Sequence, residues 1–483
     1  MAFFDHIVGV FSPKRQLDNM RTRRAIEIMQ KRGYDGAKTG RRTSGWVAPS
    51  TSANSEITPS LVKLRDRSRD LVRNNPYASK SMRVLTCNVV GTGIVPSIPD
   101  EKTAELWESW AFESDQCDAD GCLDFYGIQK IVARTLFESG ECIVRFIHKK
   151  ASDGLVVPLQ LQVLEPDYLD STKHEKLKNG GYIQHGIEYD GEGKRVAYWL
   201  YRRHPGENTP LSIGLESFRV VSQDIIHVYE KLRPGQSRGV PVLAPSMITS
   251  NDLDEYEEAT LVRKAAEACI TAVVQSDDDG AEIGRVSEEQ GTGRKIEELS
   301  PGMIEYLNGG ESITFNNPPA STGYSEYVNT RLHAIAAGSG VTYEQMTGDL
   351  SQVNFSSIRS GTLDFRREVE QIQWLVFIPM FCRRVIRTWS RSATLAKKKT
   401  KLPSRIEWTT PRFDWVDPKK DVESETEELS TSRMSFSEAA RKRGYNPQKL
   451  VEEIKKDKEM FKKAGIEYPF NGLLEEKKVE QEK

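Results

Sequence analysis

The chain has 483 residues, of which 37% are hydrophobic and 29% are charged, and its formal net charge is −2. This length exceeds the size at which a single hydrophobic core keeps growing, so several subdomains are expected. The near-neutral charge excludes a protein that grips nucleic acid through a global basic excess, and six cysteines without Cys-x-x-Cys spacing exclude a small disulfide-rich secreted domain.

Residues 1–57 are predicted to be a basic, flexible arm. Residues 1–42 carry ten Lys or Arg against four Asp or Glu, and a loop-forming stretch, GRRTSGWVAPSTSANS, follows. The arm is either a solvated tail or a basic contact for nucleic acid or another protein, and the sequence leaves both open. Its positive charges follow a short apolar stretch, which is the wrong order for a secretory signal.

Two helices are predicted between Thr58 and Gly91. Thr58 supplies a capping hydroxyl before Pro59 at the first helical position. Pro76 closes this helix and opens the next one, which two glycines end. Residues 91–93 are not a dinucleotide-binding fingerprint, because a helix rather than a strand precedes them.

Alternating apolar and polar residues predict an antiparallel, hairpin-rich region between Glu141 and Glu230. The turn of one hairpin is Asp190 to Gly193. The strand-like stretches are residues 142–147, 159–164 and 195–202.

Two helices are then predicted on either side of a polar, glycine-containing insert. The first covers residues 241–268, and the second begins at Gly323 and ends at Gly338. The insert has a strand-like stretch at residues 312–315. A stripe on the first helix favours close packing of one helix on another, and its members are Leu261, Ala265, Ala268 and Ala272.

Residues 342–356 have no periodicity and many turn formers, so a loop is predicted there. Ser356 or Ser357 can cap the long helix that follows. Pro379 should kink or break this helix because it lacks a backbone donor. A short strand, a helical region over residues 437–463 and a charged flexible tail complete the chain.

Five segments in fixed order carry the most specific pattern of the sequence. They are Asn75 to Ile94 (NPYASKSMRVLTCNVVGTGI), Arg233 to Met247 (RPGQSRGVPVLAPSM), Gly348 to Gln373 (GDLSQVNFSSIRSGTLDFRREVEQIQ) and the weaker Trp408 to Asp421 and Arg433 to Ile454. From about Pro59 to about Lys463, the chain thereby resembles the lambda-type portal protein family of tailed double-stranded DNA bacteriophages. Five ordered matches are more specific than any single short motif.

The resemblance implies an α+β fold, mainly α, with wing, stem, clip and crown parts, assembled as a ring of about twelve copies. Residues 1–57 and 466–483 are the flexible arm and tail outside these parts. The implied parts are the wing (58–238), the first stem helix (239–270), the clip (271–320), the second stem helix (321–341), the tunnel loop (342–356), the long wing helix and return strand (357–420) and the crown (421–465).

The implied function is that of a portal protein, a non-enzymatic ring at one capsid vertex that forms the channel for DNA packaging and ejection. The implied partners are double-stranded DNA, the terminase large subunit, head-completion and adaptor proteins, and the major capsid and scaffold proteins. The location is the virion, with the host cytoplasm during assembly. No cofactor or metal is expected. No membrane contact is expected either, since the longest apolar run is far shorter than the ~20 residues of a membrane span.

Three groups of residues are candidates for functional contacts. In the tunnel loop they are Glu344, Gln345, Asp349, Gln352 and Asn354, although Asp and Asn also favour local turn hydrogen bonds. On the stem helices, Arg263, Lys264 and Arg331 face the channel, a neighbouring subunit or solvent. The docking surface of the clip is predicted at Asp277, Asp278, Asp279, Glu288 and Glu289.

Two common catalytic motifs are absent from the sequence, the G-x-x-x-x-G-K-[ST] phosphate loop and the H-E-x-x-H zinc motif. Two alternatives stay open: a metal-dependent DNA-processing enzyme, which needs a convergent Asp/Glu cluster, and a minor capsid or scaffold protein without a channel.

Overall fold

The structure is a computed structural model. It describes residues 21–22, 41, 44–46, 48–207, 216–269, 272–275, 285–288, 295–298, 312–315, 323–351, 354–413, 418–466 and 468. The chain divides into two units, Met1–Ser55 and Glu56–Lys483. The second unit contains the predicted site residues.

The helices before the first large sheet are α1 (Ala53–Ile57), α2 (Leu61–Asn74), α3 (Pro76–Val89), α4 (Glu101–Ala111), α5 (Ser114–Cys117) and α6 (Phe125–Ser139). Asn75 caps α3 by accepting hydrogen bonds from the backbone N–H groups of Tyr77 and Ala78. The predicted start of α2 was two residues early, and α1 lies within the segment assigned to the flexible arm. The boundary at Pro76 is confirmed.

Gly93 explains why α3 is followed by a turn and not by more helix. Its φ is +128°, and a Cβ there would lie 2.2 Å from the ring of Tyr126 on α6. Only glycine adopts this backbone without strain and allows the ring so close. The turn therefore brings α3 and α6 together.

Sequence patterning missed α4 to α6, which supply the centre of the main hydrophobic core. Trp107 contacts Trp110, Phe125 and Trp389, with ring centroids 5.3, 5.2 and 5.1 Å apart. Phe125 also stacks on Phe381 at 5.9 Å. These aromatic pairs join the first helices to the long helix near the end of the chain.

The strand-rich region is antiparallel, as predicted. One sheet has the order β3-β2-β9 and another the order β4-β5-β6-β7-β8. The strands are β1 (Val95–Ser97), β2 (Glu141–His148), β3 (Leu159–Leu164), β4 (Glu175–Lys176), β5 (Tyr182–Gln184), β6 (Ile187–Tyr189), β7 (Arg195–Tyr201), β8 (Ser217–Val221) and β9 (Ile225–Tyr229). The hairpin over residues 190–193 joins β6 to β7, which confirms that prediction.

After the sheets come α7 (Met247–Cys269), β10 (Ala272–Gln275), β11 (Arg285–Glu288), β12 (Lys295–Glu298), β13 (Ser312–Phe315) and α8 (Tyr324–Gly338). β10 pairs with β13, and β11 pairs with β12. The predicted first helix began too early, because residues 242–246 form turns. Ala272 lies in β10, so it does not extend the small-residue stripe of α7.

The last elements are α9 (Tyr343–Thr347), α10 (Phe355–Gln371), a π-helix (Ile372–Cys382), α11 (Arg383–Leu395), β14 (Glu407–Thr409), α12 (Pro418–Ser430), α13 (Phe436–Lys442) and α14 (Pro447–Lys463). β14 pairs with β1. The protein is α+β and mainly helical in the part described. No helix among these residues is long and apolar enough to cross a membrane.

A kink or a break was expected at Pro379, and the break does not occur. Helical hydrogen bonding continues through Pro379 as the π-helix, whose wider turn accommodates the missing backbone donor. The buried side chain of Gln373 donates hydrogen bonds to the carbonyls of Val89 (2.8 Å) and Asn88 (3.2 Å) at the end of α3. The π-helix is thus anchored to the core.

Candidate functional site

The two helices α7 and α8 meet through tyrosines. The ring of Tyr256 on α7 lies 5.8 Å from that of Tyr324 and 4.6 Å from that of Tyr327, both on α8. Stacked and tilted aromatic pairs at these distances stabilise helix contacts beyond their buried area. The alanine stripe predicted from sequence is not the contact here, because Leu261 is 69% exposed.

Two of the three predicted basic residues lie on this tyrosine cluster. Lys264 Nζ is 5.4 Å from the centre of the Tyr324 ring, and Arg331 Cζ is 5.1 Å from that of Tyr327. The Lys264 contact joins α7 to α8, whereas Arg331 packs on a tyrosine of its own helix, and cation–π contacts of this kind are stabilising at surface sites. Arg263 is exposed on α7. The structure therefore gives Lys264 and Arg331 a packing role within the chain.

Small residues allow the N-terminus of α7 to approach the C-terminus of α8 closely. A Cβ at Gly338 would lie 2.9 Å from Cβ of Ser246, which immediately precedes α7. The hydroxyls of Ser246 and Ser339 are 3.4 Å apart and buried. This close approach fixes the end of α8, from which the predicted tunnel loop starts.

A loop was predicted over residues 342–356, but its first part, Tyr343–Thr347, is the short helix α9. Thr342 and Gln345 form a capping box: Gln345 N–H donates to the Thr342 hydroxyl (3.3 Å), and Thr342 N–H donates to Gln345 Oε1 (3.2 Å). Met346 is only 2% exposed. Gln345 is thus engaged in local structure, and α9 is held against the core.

Tyr343 links α8 to the turn that follows α9. Its ring stacks on His333 at 4.1 Å, and its hydroxyl lies 3.4 Å from Asn329 Oδ1 and from Asp349 Oδ2. Asp349 accepts a 2.9 Å hydrogen bond from the Ser351 backbone N–H, which lowers the pKa of this exposed carboxyl.

Asn354 caps α10, although the sequence favoured Ser356 or Ser357. Its side chain accepts a hydrogen bond from Ser357 N–H (2.9 Å), and the Ser357 hydroxyl accepts one from Asn354 N–H (3.2 Å). The signal was present in the sequence, since Asn is among the best capping residues. Gln352 lies outside the described residues.

Within the predicted clip, the structure describes only the four strands β10 to β13. Glu288 is the last residue of β11 and is paired in register with Lys295 of β12. The other predicted docking residues, Asp277, Asp278, Asp279 and Glu289, lie outside the described residues.

The segment within residues 342–351 is weakly acidic. It carries Glu344, which is half-buried, and Asp349, which is exposed, and it has no Lys or Arg. Such a surface makes no ion pair with DNA phosphates, so its contact with a duplex would be steric or through neutral polar groups.

A buried ion cluster lies at the start of β2, where sequence patterning gave no sign of one. Glu141 accepts hydrogen bonds from Arg238 Nε (2.9 Å) and Gly239 N–H (3.0 Å), and its Oε2 lies 2.9 Å from His227 Nε2. Glu141 and Arg238 are 0% and 1% exposed. Arg195 also donates to the carbonyl of Ser237 (3.2 Å). No spacing signal marks this cluster, because His227 and Arg238 are 86 and 97 residues from Glu141.

The pKa values in this cluster follow from burial and charge. Burial acts to raise the pKa of Glu141, but Arg238 and His227 outweigh it and hold that pKa well below its ordinary value. Burial lowers the pKa of His227 to about 4, against the opposing pull of Glu141. The cluster therefore contains an ionised Glu141 and a neutral His227, and it fixes the segment that leads into α7.

The structure also brings together Glu165, Asp167 and His204, a set with the atom types of a metal site. Arg65 and Arg69 bind Asp167 at 2.9 and 2.7 Å. Burial acts to raise the pKa of Asp167, and these arginines lower it overall. Because arginine already compensates the carboxylate, the set is better explained as an ion-pair network.

The chain is similar to known proteins over most of its length. The family described as "Phage portal protein, lambda family" matches residues 39–373. The "Probable portal protein" of Halomonas phage phiHAP-1 is 28% identical over 469 residues, covering 92% of this chain and 89% of that protein. "Portal protein B" of Escherichia phage lambda is 22% identical over 507 residues, covering 90% and 91%.

Two solved structures have weaker likenesses. The structure titled "Neck of native GTA particle computed with C12 symmetry" matches with a TM-score of 0.48 and 14% identity, covering 84% of this chain and 97% of that one. A portal protein of the HK97 family from Corynebacterium diphtheriae matches with a TM-score of 0.32 and 11% identity, covering 73% and 95%.

Proposed function

The chain belongs to the lambda family of phage portal proteins, and on that premise we propose that it forms a non-enzymatic ring at one capsid vertex, through which double-stranded DNA is packaged and ejected. The observation that carries this proposal is the family match, which spans the strand-rich region, both helices α7 and α8, and the start of the long helix. The ring is proposed to lie in the virion and to need no cofactor.

The electrostatics of the predicted tunnel loop support a passage for sliding DNA. The loop has no Lys or Arg, and the two basic residues Lys264 and Arg331 stack on tyrosines of their own chain. Strong neutralisation of phosphates would arrest a sliding duplex, because each neutralised phosphate adds to affinity. Weak and reversible contacts suit transport in both directions.

The residues proposed to approach DNA are Glu344, Asp349 and Gln352 of the tunnel loop, with Arg263 on α7. Gln345 and Asn354 are assigned a second role as caps of α9 and α10, which keep the loop in position. This division follows from the hydrogen bonds within the chain.

The proposed assembly has about twelve copies in a closed ring, since head-to-tail contacts close when the rotation per subunit is right. The clip, residues 271–320, is proposed to dock the terminase large subunit during packaging. Head-completion and adaptor proteins take its place afterwards. The wing and crown are proposed to face the major capsid and scaffold proteins.

Electron microscopy of the purified protein tests the proposal. Rings with a central hole are the expected result, and their absence across salt and concentration series would contradict it. The same preparation is incubated with plasmid and divalent metal ions. Metal-dependent cleavage would favour a DNA-processing enzyme instead, whereas intact plasmid together with rings supports the portal.

A further inference from the structure

A groove of about 490 Å³ lies beside α11 and the chain that leads to β14. One part of its lining is basic, with Arg383 and Arg387 one turn apart on α11 and Arg405 in the connecting segment. The other part is apolar and includes Trp374, which is 47% exposed, and the buried Trp408. We call this feature the arginine groove.

Among the described residues, no ion pair compensates the charges of the arginine groove. In the part of the chain that the structure describes, no carboxylate pairs with Arg383, Arg387 or Arg405. The neighbouring Arg384, by contrast, donates a 3.0 Å hydrogen bond to the carbonyl of Ser222. Trp408 is only 2% exposed, and its indole Nε1 has no hydrogen-bond partner. Buried donors are normally satisfied, so the groove is suited to receive acceptor groups.

The lining restricts the kind of occupant. Carboxylates and phosphates both pair well with arginine. The backbone of duplex DNA has no apolar side chains, however, and would leave Trp374, Leu402 and Ile406 without a partner. A protein segment that exposes both carboxylates and apolar side chains matches both parts of the lining.

The helix α12 exposes both kinds of side chain. Glu423 and Glu427, one turn apart, lie on one side, and Val422 and Leu429, which are 38% and 37% exposed, form a separate stripe around the helix. Its other side is already occupied within the chain. Arg359 approaches Asp421 at 3.5 Å, and Arg443 Nε donates to Glu425 at 3.0 Å.

We propose that, in the ring, α12 of one copy lies in the arginine groove of the next copy. Glu423 and Glu427 then pair with Arg383 and Arg387, because both pairs have the same one-turn spacing. Val422 and Leu429 cover the apolar part of the groove. A head-to-tail ring needs two different, complementary surfaces on each subunit, and these two surfaces fulfil that need. The inference rests on the ring of the proposed function and specifies which surfaces of neighbouring subunits meet in it.

The contact is tested by reversing the charges of the groove, of α12, and of both surfaces together. The variants are R383E/R387E, E423R/E427R and the combination of all four substitutions. Each one-sided variant is expected to raise the protein concentration at half-maximal ring formation by about tenfold or more, since like charges then face each other. The combined variant should recover at least half of that loss. Ring fraction is measured by analytical ultracentrifugation, with circular dichroism reporting the fold of each variant.

The matched control is K398E/K399E, which makes the same change of charge at two exposed lysines just after α11, outside the groove. This control should assemble as the wild type does. If R383E/R387E fails to fold, the milder R383Q/R387Q reports the loss of pairing at low salt.

Two results would overturn the contact but not the proposed function. In the first, the wild type and both one-sided variants form rings equally well. In the second, the combined variant does not recover ring formation. Lost DNA binding with normal rings would also overturn it, in favour of a phosphate site. A wild type that never forms rings counts against the proposed function and the contact together.

Discussion

At the scale of single residues, His227 shows how burial determines charge. Its Nε2 lies 2.9 Å from Glu141, and its Nδ1 lies 3.4 Å from Arg195 Nη1. A neutral imidazole with the proton on Nε2 donates to the carboxylate and accepts from the guanidinium, so it satisfies both neighbours. Protonation would place a further positive charge between Arg195 and Arg238.

This arrangement predicts a loss of stability in mild acid. The pKa of His227 is about 4 in the folded protein, against an ordinary histidine value of 6.5 that applies to the unfolded chain. Between these values the unfolded chain binds the proton and the folded chain does not, so the free energy of unfolding falls as pH falls, by at most about 1.4 kcal/mol per pH unit. From pH 7 to pH 5, His227 should contribute a loss of about 2 kcal/mol.

Urea unfolding of wild type and His227→Gln at pH 7 and pH 5, at one protein concentration, measures this contribution. The glutamine amide can still donate to Glu141 but does not titrate, so the variant should lose about 2 kcal/mol less than the wild type. His148→Gln is the control, because His148 is half exposed beside Asp224. Equal pH dependence in wild type and His227→Gln would contradict the assignment.

At the scale of elements, α9 and the cap of α10 hold the ends of the predicted tunnel loop. Met346 is buried on the core side, and Asn354 satisfies the first turn of α10. What lies between Gly348 and Asn354 is short and exposed where described. Loops on rigid supports can move without unravelling the elements that carry them.

Removal of residues 349–353 is therefore expected to leave ring formation intact and to impair DNA packaging or retention. The deletion keeps the αL residue Gly348 after α9 and the capping residue Asn354. The measurement is nuclease-protected DNA in heads assembled with the variant, with ring counts from the same preparation.

Asn354→Ala is the matched control for this deletion. It leaves the length of the loop unchanged but removes the cap, at a cost of about 1 kcal/mol of stability. Full-length DNA protection with the shortened loop would show that the loop does not control the packaging or retention of DNA. A packaging defect of equal size in Asn354→Ala would attribute the effect to α10.

At the scale of the whole molecule, the described helices and strands form a well-packed body, and the sequence adds a polar segment that is the predicted clip. The acidic residues Asp277, Asp278 and Asp279 have few apolar neighbours in sequence, which is typical of an exposed docking surface. Their role stays a prediction, because they lie outside the described residues.

Replacing these three aspartates by alanine is expected to leave rings intact and to weaken attachment of the terminase or adaptor proteins. Removing three charges from a segment that the sequence predicts to be exposed should change electrostatic attraction without removing core contacts. Rings are counted by electron microscopy, and attachment is measured by co-sedimentation with the terminase large subunit at several salt concentrations. Loss of folding in the variant would assign the segment a structural role.

The amino-acid sequence by itself determined the features that depend on neighbouring residues. Pro76 sets a helix boundary because proline constrains itself and the preceding residue. Alternation placed β2 and β3, and Gly338 ended α8 as predicted. The resemblance to the portal family, which the family match confirms, also came from ordered segments of sequence.

Only the tertiary structure decided the features that depend on distant residues. Glu141 meets Arg238 across 97 residues of chain, Trp107 meets Trp389, and the arginine groove forms where α11 and the segment before β14 meet. Local rules act within about one turn of helix or one strand pair. Which charges are buried, and which stay uncompensated, follows from the packing of whole elements, so the sequence pattern had no signal for them.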